Sequence, residues 1–412
     1  MVALEERGGY VMRCDISSEY EKLRTVMVHE PGNEIGRLAP SNKDQLLFDD
    51  IPYLEEMRRE HKDFVELLKQ NGVESLEVRN LLIEILKDEE ITKRLFDECM
   101  ELERCRGLKN GEFLNGREPK EVAEILFSGL TYNEFEGKLV EEMTKKGEEF
   151  LIPPIPNFYF TRDPSAVIKD GVVSCKMFYP ARAREALIMK YIFKFHPTFR
   201  GNSPFWYGIK EEEDRPYTIE GGDIILLNSD VIAIGNSERT RSHSIERLAQ
   251  NLFDHDVVDV VYEVKIPHER TYMHLDTVFS VISEDIVVFY PEALKETIEM
   301  IAYRPYRMYG RLIARGEKEK FGLIDRLPEL LGADVVALQT GGGDIRYSEK
   351  EQFADGTNTL AVAPKKVVTY RRNEKTNEVL EELGVKVLRI DGYELVRGRG
   401  GPRCMTMPLV RG

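Results

Sequence analysis

The chain has 412 residues, 42% of them hydrophobic and 32% charged, enough apolar material for one large domain or two ordinary ones and too much for a disordered chain. Its net charge of −15 argues against the basic face that nucleic acid requires, and no apolar run is long enough to span a membrane. Five cysteines without regular spacing argue against a disulfide framework and for a reducing, cytoplasmic setting, and no CxxC or HxxxH pair points to zinc.

The N-terminal stretch MVALEERGGYVMRCD has no apolar segment of the secretory kind, and the residues before Met12 read as an unpatterned leader. LRTVMVHEP (Leu23 to Pro31) reads as a strand, YLEEMRREHKDFVELLKQNGV (Tyr53 to Val73) as an amphipathic helix and SLEVRNL as another strand. From Leu81 to Glu149 strand signals nearly vanish. ITKRLFDECMELERC, PKEVAEILFSGL and YNEFEGKLVEEMTKK each read as helices. Residues 81–149 are therefore expected to form a helical insertion, with 1–80 and 150–412 as the main body. LIPPIPNF follows, and its prolines forbid a continuing helix.

A unit then recurs. SAVIKDGVVSC (Ser165 to Cys175), DIILLNSDVIAIG (Asp223 to Gly235), TVFSVISEDIVVFY (Thr277 to Tyr290) and NTLAVAPKKVVTY (Asn358 to Tyr370) each place two apolar runs around a short polar turn, the pattern of a hairpin. Helix-like segments follow: AREALIMKYIFKFH, SERTRSHSIERLAQNLF, PEALKETIEMI and KTNEVLEEL. Runs such as VVDVVYEVK and VKVLRI close the pattern strand, strand, helix, strand. The N-terminal unit lacks one hairpin strand, and the C-terminal MTMPLV can supply it. Pairing the last strand with the first would close a ring of five units and remove open sheet edges.

The residues before the hairpins carry the chemistry: NFYFTRDP (Asn157 to Pro164), IEGGD (Ile219 to Asp223), MHLD (Met273 to Asp276) and, before the closing strand, GRGGPRC (Gly398 to Cys404). If a rotation relates the units, Asp163, Glu220, His274, Asp276 and Cys404 meet at one end of the axis. A thiol beside an imidazole suits nucleophilic catalysis. Several carboxylates beside a thiolate would oppose an oxyanion but suit a cationic electrophile, and a guanidinium presents planar N–H donors to paired carboxylates. Bland readings compete one by one. Cys404 could be a small core residue, His274 a satisfied core histidine, Asp163 a turn cap, and Glu220 and Asp223 turn residues beside glycines with positive φ. The second GGD (Gly342 to Asp344) reads as structural. Together these readings leave unexplained why the polar residues share one position of the repeat.

NFYFTRDP, EGGD, SERT, MHLDTVF and GRGGPRCMTMPLVR together resemble the arginine deiminase family of guanidino-modifying enzymes, and PSN with LLFDD (Leu46 to Asp50) resembles its N-terminal segment. The resemblance covers essentially the whole chain. It implies a five-bladed α/β propeller of ββαβ units with an inserted helical subdomain, free L-arginine as substrate, and no metal or organic cofactor. Cys404 would be the nucleophile and His274 the general acid and base. Glu220 would support His274, and Asp163 and Asp276 would hold the guanidinium. Asn157, Arg182, Arg239 and Arg399 would contact the α-carboxylate and the active-site loop, with Phe160 lining the pocket. A homo-oligomer is expected. The alternatives are an amidinotransferase, a hydrolase of agmatine or methylated arginine, and a non-catalytic arginine-binding protein.

Overall fold

The computed structural model of the chain describes residues 11–105, 108, 112–135, 150–209, 217–294 and 299–412. The first and last strands pair. Met407–Arg411 runs antiparallel to Leu23–Val28, with Met27 opposite Met407, and Leu23–Val28 runs parallel to Glu74–Glu77. The same antiparallel-then-parallel pattern recurs in three further sheets. Ser165–Ile168 pairs with Gly171–Ser174 and then Phe205–Tyr207. Phe279–Ser283 pairs with Ile286–Phe289 and then Val336–Gln339. Leu360–Ala363 pairs with Lys366–Tyr370 and then Lys386–Ile390. In a five-stranded sheet Ile224–Leu226, Val231–Asn236 and Val260–Lys265 follow this order, and two further strands extend it. The chain is thus mixed α/β. Parallel pairs need crossover connections. Helices Leu54–Gln70, Ala183–Phe195, Ser242–Asp254, Leu323–Leu331 and Glu374–Glu382 lie between the strands concerned.

Three expectations are corrected. The strand expected over SLEVRNL ends at Glu77, whose side chain accepts a hydrogen bond from the Arg79 amide and caps a helix over Val78–Ile85. The glutamate offers a backbone N–H a local partner, so the helix starts inside the expected strand. Of the helix expected over PEALKETIEMI, Pro291–Leu294 is a turn, residues 295–298 lie outside the described residues, and Met300 and Ile301 open the strand Met300–Met308. There the apolar period is two: Met300 and Ala302 are buried against Val264 and Tyr262, and Tyr303 donates to Glu263 Oε2 at 2.8 Å. That strand turns at Tyr309 and Gly310, both with left-handed φ, and returns as Arg311–Lys318. Gln250 covers part of the new edge, with its carboxamide donating to the Leu312 carbonyl and accepting from the Ala314 amide. Strand content also occurs within the helix-rich stretch, where Leu130–Thr131 pairs with Phe150–Ile152. Most of YNEFEGKLVEEMTKK, and the leader before residue 11, lie outside the described residues.

Helices Val78–Ile85, Glu89–Leu102 and Pro119–Ser128 share one core with the body, since Leu82, Phe96 and Phe127 pack in the same cluster as Val167, Ile188 and Ile192. At the junction His29 is buried between Glu34 at 3.0 Å and Glu77 at 3.2 Å, and stacks on Phe127. A second buried hub ties the sheets. Glu19 accepts from Arg403 through both oxygens, at 3.0 and 3.2 Å, and lies 3.7 Å from Arg162. Arg403 also donates to the Ile224 carbonyl at 2.8 Å and to Asp276 at 2.7 Å. The hub therefore joins the N-terminal segment, three hairpin units and the turn that carries Cys404.

Candidate active site

Each hairpin that supplies a candidate residue is entered through a tight turn. Short 3-10 turns at Pro156–Tyr159, Gly221–Asp223, Leu275–Thr277 and Leu395–Gly398 precede the strands at Ser165, Ile224, Phe279 and Met407. Close approach explains the glycines of EGGD. A Cβ on Gly222 would sit 2.7 Å from His274 Nδ1 and 2.9 Å from Asp163 Oδ1, and one on Gly221 would sit 2.1 Å from the Arg162 carbonyl. Neither glycine is among the residues with positive φ, which corrects the turn-conformation reading. The second GGD is built differently. Gly342 and Gly343 both have positive φ, and Asp344 caps the helix Ile345–Phe353.

One cavity is lined by Asn157, Phe160, Asp163, Arg182, Arg239, His274, Arg399 and Cys404, with Leu47, Arg270, Met273 and Gly398. The other two expected residues stand directly behind this lining. Glu220 Oε2 lies 2.7 Å from His274 Nε2, and Asp276 Oδ2 lies 3.4 Å from Cys404 Sγ. All ten expected residues therefore meet at one place.

Their partners set their use. Asp163 Oδ2 accepts from Arg182 Nη1 at 2.7 Å, while Oδ1 lies 3.7 Å from His274 Nδ1. Asp163 Oδ1 and Asp276 Oδ1 are buried carboxylate oxygens without a hydrogen-bond partner among the described residues. A buried carboxylate oxygen is costly unless a donor meets it. Arg182 is largely engaged by Glu185 through Nε and Nη2, by Asp163, and by the Asn157 carbonyl, so its visible work is to hold Asp163. The Asn157 side chain donates to the Leu46 carbonyl at 2.7 Å. Arg239 lies 4.5 Å over the Tyr179 ring and 3.4 Å from Glu220. Arg399, in left-handed φ, lies 4.2 Å over the Phe353 ring and 3.6 Å from Asp49. Arg270 binds the same Asp49 at 2.6 Å.

Two close neighbours of the cysteine escaped sequence reasoning. Arg403, adjacent to Cys404, is buried and donates to Asp276 Oδ2. Asn358 Nδ2 lies 3.1 Å from Cys404 Sγ. Asn358 had a signal: it stands just before the hairpin strand Leu360–Ala363, where the other units carry their chemistry.

The electrostatics are lopsided. Burial pushes the Cys404 thiol well above its ordinary range, and Asp276, Asp163 and Asp355 push the same way against Arg403. Burial would lower His274, but Asp163, the hydrogen bond to Glu220 and Asp223 outweigh it and raise it to about 9. Burial would raise Glu220, but Arg239 and His274 hold it down at about 2. His29 is likewise raised to about 9, since the hydrogen bonds it donates to Glu34 and Glu77 outweigh burial. Both histidines thus bind protons more tightly folded than unfolded. Their contribution to stability is complete below about pH 6.5, the unfolded value, and is lost as pH rises through about 9. The free energy of unfolding is expected to fall between those limits, by up to about 1.4 kcal/mol per pH unit for each histidine, taking the unfolding midpoint down with it, and less steeply in His29→Gln. A midpoint flat or rising from pH 7 to 9 by calorimetry would contradict this assignment of charge.

The family model for arginine deiminase matches residues 44–411. This chain belongs to the arginine deiminase family. It is 38% identical to the arginine deiminase of Borrelia duttonii over 98% of this chain and 99% of that one. It is 40% identical to the arginine deiminase of Staphylococcus aureus (strain Newman) over 96% and 98%. Solved structures with the same fold include an amidinotransferase from Microseira wollei, with a TM-score of 0.55 at 15% identity over 97% of each chain. The N-terminal domain of a cyanobacterial arginine dihydrolase matches with a TM-score of 0.54 at 12% identity, covering 95% of this chain and 98% of that one. Across the arginine deiminase relatives the match is nearly end to end, so the body and the helix-rich stretch fall within it.

Proposed function

We propose that the chain hydrolyses free L-arginine to L-citrulline and ammonia. The observation that carries this reading is the pair of unpartnered buried oxygens, Asp163 Oδ1 and Asp276 Oδ1, beside His274 and Cys404 Sγ. A guanidinium supplies the N–H donors both oxygens lack. Held there, its central carbon faces the sulfur. The thiolate of Cys404 attacks that carbon, and the π electrons move to nitrogen. His274, protonated and held by Glu220, gives its proton to the departing nitrogen, and ammonia leaves with the C–N bonding pair. An amidino-thioether remains on Cys404. His274 then takes a proton from water, the hydroxide oxygen adds to the same carbon, the C–S bond breaks to return thiolate, and the remaining hydroxyl proton passes to the released ammonia or solvent, leaving citrulline. Two lower barriers replace one. The substrate cation offsets the carboxylates that oppose the thiolate.

Glu220 orients and charges His274, and Arg182 fixes Asp163. Arg239, Arg399 and the Asn157 side chain are assigned to the substrate carboxylate and the loop that covers it, with Phe160 on the pocket wall. Agmatine, which lacks that carboxylate, is expected to react with kcat/KM lower on the order of 10⁴-fold, because the buried cations would lose their partner. Agmatine turned over as fast as arginine would remove these assignments. The five sheets are read as five blades of a propeller closed by the pairing of Met407–Arg411 with Leu23–Val28, with 81–149 inserted into the body formed by 1–80 and 150–412. A cytoplasmic homo-oligomer completes the proposal.

The test is incubation with L-arginine and separate assays for ureido product and ammonia. Equal amounts of the two support hydrolysis. Ornithine with a new guanidino compound, formed only when an amine is added, would replace it with amidino transfer.

A further inference from the structure

Four of the five sheets of three or more strands bring a charged or nucleophilic residue to the cavity or directly behind its lining from the turn before a hairpin or closing strand. The fifth sheet, Leu360–Ala363 with Lys366–Tyr370 and Lys386–Ile390, brings a neutral amide. Asn358 is fully buried, and every side-chain bond it makes goes to the nucleophile or the residues around it. Its Oδ1 accepts the Cys404 amide at 3.0 Å and the Gly401 amide at 3.2 Å. Its Nδ2 donates to Cys404 Sγ at 3.1 Å and to the Asp276 carbonyl at 3.3 Å. The two ends of an amide are distinguished by their neighbours. Two backbone N–H groups can meet only the oxygen, and a carbonyl can meet only the NH₂. The NH₂ is therefore fixed toward the sulfur. Gly401 belongs to the same arrangement, since a Cβ there would sit 2.6 Å from the Asn358 carbonyl and 2.9 Å from Oδ1.

We propose that Asn358 is a catalytic residue: its anchored Nδ2–H donates to Cys404 Sγ, stabilising the thiolate and aiming it at the guanidinium carbon. The chemistry of the pocket requires such a donor. Asp276, Asp163 and Asp355 face the thiol with negative charge, Tyr159 and Tyr370 lie close enough to interact with it, and Arg403, the cation that favours its ionisation, is shared with Glu19 and Asp276. His274 lines the same cavity but is held by Glu220 and Asp163. Asn358 supplies a donor to sulfur without adding a charge that would repel the substrate cation. This role rests on Cys404 being the nucleophile.

The test is the pH dependence of Cys404 alkylation by iodoacetamide in the arginine-free protein, followed on the Cys404 peptide by mass spectrometry. This readout does not require turnover, so its outcome is separate from whether the chain is a deiminase. Asn358→Asp keeps the shape and the acceptor for both backbone amides and removes the donor. Its alkylation midpoint is expected to rise by at least about one pH unit. Its kcat is expected to fall on the order of 10²-fold or more, with KM for arginine changed only a few-fold. Asn358→Ala should show the same rise together with a lower unfolding midpoint, because two buried N–H groups lose their acceptor. Unchanged alkylation profiles in folded variants would overturn the proposal, even if kcat falls. Should neither variant fold, isotopically labelled asparagine in the native chain decides it: one side-chain NH₂ resonance must move as Cys404 ionises, and the absence of such a resonance overturns the assignment.

Discussion

Cys404→Ser is expected to abolish citrulline formation, with kcat lower by roughly 10⁴-fold or more. Burial and three carboxylates already resist ionisation of the thiol, and an alcohol in the same place ionises far less readily. The serine would have to attack as a neutral hydroxyl. Asp276, the carboxylate in contact with this position, is already engaged by Arg403 through the same oxygen. Binding should survive, because Asp163 Oδ1 and Asp276 Oδ1 are untouched. Calorimetry with the variant should therefore show arginine bound and not consumed, and mass spectrometry of the native enzyme quenched during turnover should show an amidino adduct on the Cys404 peptide that the variant lacks. Undiminished turnover by Cys404→Ser would sink the covalent route and the role of this residue together.

Glu19→Gln is expected to be the most destabilising single change, by about 3–5 kcal/mol. Glu19 is buried, with Arg403 bound to both oxygens and Arg162 at 3.7 Å. Burial would raise its carboxyl, but Arg403, Arg162 and Arg411 hold it down at about 2. The crowding is visible from the other side as well. Burial, followed by the neighbouring Arg403, lowers Arg162 to about 9. Burial lowers Arg411 to about 10, with Glu19 opposing and Arg403 adding to the fall. A glutamine in place of Glu19 would leave these buried cations facing one another across a neutral amide, and breaking a buried pair from one side costs far more than the pair contributes. The depressed carboxyl also sets an acid limit. Its stabilisation is complete above about pH 4.5 and is lost as pH falls toward about 2. Thermal unfolding should shift down by about 3–6 °C, and activity should fall with it, since Arg403 adjoins Cys404 and holds Asp276. An unchanged midpoint would show that the hub contributes nothing to the fold.

Local patterns were legible where the physics is local. Two apolar runs around Lys169-Asp170-Gly171 or Pro364-Lys365-Lys366 make a hairpin regardless of distant residues, and the structure places strands there. The strand at Met300 was not legible, because its partner, Val260–Lys265, belongs to a different unit, and a short apolar run serves helix or strand equally well until packing chooses. Of the ten candidate residues, Asp163, Glu220, His274, Asp276 and Cys404 were legible through their shared position before the hairpins and the closing strand, and Asn157, Phe160, Arg182, Arg239 and Arg399 only through the family resemblance. Asn358 occupies the same position but is neutral, so a search for charges and nucleophiles passes over it.

The sequence alone determined the units, the join of the two ends, and which thiol, imidazole and carboxylates belong together, because turn chemistry and apolar period are written in neighbouring residues. Tertiary structure decided what each polar group does. Arg182 is committed to Asp163 and Glu185, Arg403 to Glu19 and Asp276, and Asn358 to the sulfur. Those partners come from up to several hundred residues away, and a hydrogen bond is decided by distance and direction in space, which no spacing along the chain encodes.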